Sequence, residues 1–239
     1  MLDDLRLLLA HTPPGASRED YARAVVDDNV LGKATRKTRE LTLKYLVALY
    51  GLNPDNPIFR ALLRLWPVNE AAQPVLALAV AFARDPLLRG TQNIFLSLPV
   101  GAKVQREHVE TNLGTAHAER FSAASLKSLA QNIAGTWTAA GLLQGRAIKV
   151  RQYLQPYPES VAMLLFLGYL EGRTGQRLFT SDWMNLFSGS SGELEAMASS
   201  ASHRGLLVFM NAGGVKEVRF PGYLTPEEEK VREELLHVI

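Results

Sequence analysis

Apolar residues recur at spacings of three and four along most of the chain, the period of helices that bury one face. Ser17-Arg-Glu-Asp20 is a capping-box-like start, and Tyr21, Ala24 and Val25 then supply one apolar face, which predicts a helix over 18–28. Asn29 and Gly32 tolerate the left-handed backbone that ends helices, and Thr35 is a fresh N-cap for a helix running to about Tyr50. In that second helix Leu41, Tyr45, Ala48 and Leu49 keep the i, i+4, i+7, i+8 spacing until Gly51 and Asn53-Pro54 stop it. The segment reads helix, turn, helix.

Pro57 opens a helix ending near Trp66-Pro67, and Pro74 starts a buried segment over 75–84. Asp85-Pro86 breaks that segment before a shorter helix carries the chain to a turn at 98–101, where a module boundary is expected. Beyond it, 103–116 has a helical pattern, and Ser122 caps a long helix with Leu126, Leu129, Ile133, Trp137 and Ala140 on one stripe, ended by Gly141. Residues 142–154 are short, basic and partly alternating, either a wing-like hairpin or an irregular strand.

A strongly apolar helix is expected over 159–171, a short one capped by Asp182 over 183–187, and a loop at 188–192 before a helix over 193–203. Residues 206–210 and 215–220 flank Asn211-Ala-Gly-Gly214, which reads as a four-residue hairpin loop. The expected fold is mainly α. Two packed helical modules, 1–100 and 101–239, each contain a helix-turn-helix-like element, at about 18–50 and 103–140, with room for a small wing-like β-hairpin near the C-terminus.

Length and composition narrow the compartment. The chain has 239 residues, 47% hydrophobic and 21% charged, so it can bury a full core. The absence of Cys excludes disulfides and thiolate metal sites and points to a reducing, cytoplasmic setting. The apolar run at the N-terminus follows acids and precedes no small-residue cleavage site, so it is not read as a signal peptide. The internal apolar runs 75–83 and 161–170 are about half of the ~20 residues a membrane-spanning helix requires, and no membrane partner is expected.

The net charge of +2 conceals an asymmetry. Residues 226–239 hold five of the 24 acids and two of the 26 cations, which leaves the body at +5. Between Arg120 and Pro158 there is no acid at all, while Arg120, Lys127, Arg146, Lys149 and Arg151 supply five cations. Such a segment suits a phosphate backbone.

Two helix faces carry the candidate chemistry. Thr35, Arg36, Lys37 and Arg39 place cations and hydroxyls at a helix start, where exposed N–H groups favour an anion and where the helix dipole opposes positive charge. An ordinary solvated face, with Arg36 paired to Glu40, accounts for the same residues. On the later helix Lys127, Ser128, Gln131 and Asn132 lie opposite the apolar stripe, and amide side chains can read adenine edges. Arg146, Lys149 and Arg151 follow where a wing would meet phosphates; a charge-protected edge strand is the alternative.

Catalytic signatures are lacking. The five His are scattered, His108 and His117 lack the i, i+4 spacing of a helical metal pair, and no phosphate loop or nucleophile elbow occurs. Trp66, Trp137 and Trp183 lie on apolar stripes and are expected in the core. No cofactor, metal site or enzymatic activity is expected.

Residues 28–50, DNVLGKATRKTRELTLKYLVALY, resemble the BrxA family of bacteriophage-exclusion (BREX) defence systems, and the similarity continues through Ala83-Arg-Asp-Pro-Leu-Leu-Arg89. The run SLKSLAQNIAGTWTAAGLL at 125–143 resembles that family's second helical motif. The resemblance implies a small helical, non-catalytic accessory protein that binds double-stranded DNA and works beside methyltransferase and ATPase components. A protein-interaction adaptor and a dimeric helix-turn-helix transcriptional regulator are the alternative readings.

Overall fold

In the computed structural model, which describes residues 1–117 and 120–236, the chain is mainly helical. The N-terminal run forms α1 (Leu2–His11), with Leu5 and Leu8 buried. Next come α2 (Arg18–Val26) and α3 (Arg36–Tyr50), which pack on each other. The caps are those the sequence predicts. Asp20 N–H donates to Ser17 Oγ while Ser17 N–H donates to the Asp20 carboxylate, and Thr38 N–H donates to Thr35 Oγ1. Asn29 (φ 53°) and Gly32 (φ 63°) take the left-handed turn between the helices.

Asn56 caps α4 (Pro57–Leu65), and a 3-10 turn at Glu70–Ala72 leads into α5 (Gln73–Arg84). Every residue of α5 from Gln73 to Phe82 except Pro74 is buried, so this helix is the centre of the core. The shorter helix expected after Pro86 is two pieces, α6 (Pro86–Gly90) and α7 (Gln92–Leu96). No single helix among the described residues is long and apolar enough to cross a membrane.

The helix expected over 103–116 begins three residues later. Lys103–Val104 is strand β1, and α8 (Arg106–Ala116) follows it. Then come α9 (Ala123–Ala139), β2 (Leu143–Gln144) and β3 (Lys149–Arg151). The three strands form an antiparallel sheet in the order β1-β3-β2, with Lys103 opposite Val150 and Leu143 opposite Arg151. The hairpin alternative for 142–154 is therefore the one adopted.

The apolar α10 (Pro158–Leu170) is buried from Pro158 to Gly168 and packs on α4 and α5, so helices on both sides of residue 100 share one core. Asp182 does not cap a helix. α11 (Gln176–Phe179) precedes it, and a 3-10 turn at Met184–Leu186 with Trp183 in the cap position follows. Ser190 caps α12 (Ser191–His203), two residues ahead of the expected start.

β4 (Val208–Ala212) and β5 (Val215–Arg219) form the C-terminal hairpin, packed on α12. Its loop has two residues, not four. Ala212 pairs with Val215, and Gly213 (φ 60°) and Gly214 (φ 84°) make the tight turn whose twist matches the strands. The acidic tail becomes α13 (Pro226–Leu236). Its start is fixed by Thr225, whose N–H donates to Glu228 while Glu228 N–H donates to Thr225 Oγ1.

Candidate nucleic-acid interface

α9 owes its rigidity to both ends. Ser125 N–H donates to Ser122 Oγ at 3.2 Å, and Gly141 (φ 89°) terminates the helix. Its inner stripe, Ala130, Ile133, Trp137 and Ala140, is buried. Trp137 is seated edge-on against Phe82 of α5 and tilted against Phe95 of α7, with ring centroids 5.0 and 5.1 Å away. All three tryptophans are in the core, as their stripes predict.

The outer face follows from the same period. Ala124, Lys127, Ser128, Gln131, Asn132, Gly135 and Ala139 are all exposed. Spacings of three and four put them on one side of the helix. The face contains no acid, one cation, two primary amides and four residues no larger than Ser. Among the described residues no hydrogen bond or ion pair engages the side chains of Lys127, Ser128, Gln131 or Asn132, while the bonds of neighbouring Ser125 and Thr136 are made within the helix. Their polar atoms are free for a ligand. Ala124, Gly135 and Ala139 escape a reading that looks for charge and amides; the signal for them is their register with Lys127 and Gln131.

The β2–β3 hairpin leaves directly from this helix, and β2 packs on α9. Its tip exposes Arg146 and Ile148, the latter at 59%. Lys149 is half-buried, and its Nζ donates to Gly145 O at 2.7 Å, closing the turn. Gly145 is required there: its φ is +109°, and a Cβ would stand 2.1 Å from the Ile148 carbonyl oxygen.

Arg151 is not on this surface. It is 1% exposed, with one guanidinium nitrogen donating to Ser188 Oγ at 3.2 Å and with Nε and the other terminal nitrogen unpaired. Burial pulls its pKa below the ordinary arginine value. The alternation of β3 explains the placement, since Arg151 lies on the strand face opposite Val150 and its charge is turned inward.

At the start of α3 the cations are mostly engaged within the protein. Arg36 pairs with Glu40 at 3.0 Å and with Asp27 at 3.6 Å. Arg39 donates to the Val26 carbonyl at 2.7 Å, supplying a cation to the C-terminal end of α2, and Lys33 pairs with Asp4. Lys37 is exposed, and no ion pair engages it among the described residues. The Thr35 hydroxyl is occupied by capping and by Thr38 Oγ1 at 2.9 Å. Internal partners thus answer the charge conflict that the sequence presents at this helix start.

Cavities lie elsewhere. A polar cleft of about 420 Å³ is lined by Arg89, Gln92, Asn93, Asp182 and Asn185, and one of about 290 Å³ lies between α7 and α8 beside His108 and His117. No group of three or more metal-ligating side chains occurs among the described residues. No family profile, curated protein or solved structure gives a significant match to the chain.

Proposed function

We propose that the protein binds double-stranded DNA without catalysing a reaction on it, with α9 laid toward the major groove and the β2–β3 hairpin against the backbone beside it. The observation that carries this reading is the acid-free outer face of α9 continuing into the exposed Arg146 of the hairpin. The element order supports it: strand, two packed helices, then a hairpin that completes a β1-β3-β2 sheet is also the order of winged helix-turn-helix modules. In such an arrangement the second helix of the pair presents side chains to base edges while neighbouring cations and N–H groups hold phosphates.

The resemblance of 28–50, 83–89 and 125–143 to the BrxA family supplies the biological setting of the proposal: an accessory of a phage-defence system, acting beside methyltransferase and ATPase partners in the cytoplasm. Titration of the full chain into a fluorescently labelled duplex at low and at physiological salt tests the binding. Saturable anisotropy change at low salt, weakened at the higher salt, is expected; no change at low salt overturns the reading.

A second reading rests on α3. Leu41 and Tyr45, one turn apart, are 46% and 50% exposed on a helix where Arg36 and Arg39 are engaged within the protein. That face suits a protein partner, as an interaction adaptor requires. Co-purification of a defence component that survives nuclease treatment supports this role, and its loss on nuclease treatment contradicts it.

A further inference from the structure

We infer that the α9 face selects adenine-containing base pairs, an inference that rests on the DNA-binding reading above. The composition of the face makes the choice. Gln131 and Asn132 each offer a carbonyl acceptor and an NH2 donor, the complement of the N7 acceptor and N6 donor on the major-groove edge of adenine. Guanine presents two acceptors there, which are met best by the paired donors of Arg, and the exposed face of α9 has no Arg. Its single cation, Lys127, is a point charge that a phosphate satisfies equally well.

The small residues fit the same substrate. Ala124, Ser128, Gly135 and Ala139 are exposed around the amides, so nothing bulkier holds the helix away from the base edges. The Ala methyls also match the thymine methyl that partners each adenine. An amide discriminates only from a fixed base, and α9 has one in its Ser122 cap and its buried Trp137. The hairpin leaves the choice of base to α9, since Arg146, exposed beside a turn that Gly145 fixes, is placed to hold a backbone phosphate.

Selection by the full-length protein from a library of duplexes with a randomised centre, followed by anisotropy titrations of the enriched duplex, tests the inference. Enrichment of adenine at adjacent positions is expected. Replacing those adenines with 7-deazaadenine, which removes only the N7 acceptor, is expected to weaken binding about tenfold. The exposed-site variant Gln131→Ala/Asn132→Ala is expected to lose the preference while keeping its salt dependence. Enrichment of G·C pairs, no enrichment, or indifference to 7-deazaadenine overturns the inference and leaves DNA binding standing. No binding to any duplex at low salt overturns both.

Discussion

Trp137 Nε1 donates a 3.1 Å hydrogen bond to Thr91 Oγ1, and both side chains are completely buried. Thr91 Oγ1 in turn donates to the Leu88 carbonyl at 2.7 Å, so the chain of bonds runs from α9 into the junction of α6 and α7. The polar link and the aromatic contacts together hold the candidate recognition helix on the core. Thr91→Val leaves the indole N–H buried and unpaired, which costs about 1–3 kcal/mol. Trp137→Ala opens a cavity as well and costs about 3–5 kcal/mol. Urea denaturation reads both, and a Thr91→Val midpoint equal to wild type contradicts the role given to this bond.

A buried carboxylate joins three distant segments. Glu159, wholly buried at the start of α10, accepts from Arg204 at 2.7 Å and from Asn69 Nδ2 at 3.1 Å. Arg204 is about half exposed, so water replaces part of what its removal takes away. Arg204→Ala is therefore expected to cost about 1–3 kcal/mol, below the range for fully buried pairs. Asn69→Ala is expected to be milder and, because both donors serve one carboxylate, non-additive with it. Strict additivity in the double mutant argues against a shared network.

The hairpin turn separates binding from folding. In Gly145→Ala the new Cβ meets the Ile148 carbonyl in a backbone conformation that L-residues rarely adopt, a strain of order 1–3 kcal/mol confined to the turn. Duplex affinity is expected to fall several-fold while α9 and the core remain folded by circular dichroism. Unchanged affinity removes the hairpin from the interface.

Alkaline pH gives a test of packing. Burial raises the Tyr223 phenol to about 12, and Tyr169 is raised to about 12 by burial and by donation to Glu229; Tyr50 is also raised, chiefly by burial. An unfolded tyrosine loses its proton near 10, whereas these hold theirs in the native state. The unfolded chain then binds fewer protons, so stability is full below about pH 10 and declines toward about pH 12. The urea midpoint followed across that window shows this directly, and Tyr169→Phe is expected to flatten part of the decline. A flat wild-type profile contradicts it.

Local signals account for what the sequence made legible. Ser17, Thr35 and Ser122 announce helices through a single side chain and its near neighbours, and α5 and α10 declare burial by unbroken apolarity. What escaped is long-range. β1 and β3 are two and three residues long, too short for any periodicity, and exist because Lys103 meets Val150 across 47 positions. Alternation inside so short a strand could not show that Arg151 turns inward. Nor does composition reveal that Asp27 folds back onto Arg36, or that Val26 O receives Arg39. The α9 face was legible because its spacing alone defines it.

Phosphate binding by α9 and its hairpin is tested most directly by the salt dependence of duplex affinity. For the wild-type chain, log Kd against log salt is expected to give a steep straight line. Removing the two exposed cations in Lys127→Ala/Arg146→Ala is expected to reduce the slope by about 2, close to one for each phosphate no longer neutralised. A slope unaltered by that double substitution, or no affinity for duplex at low salt, contradicts phosphate binding at this surface.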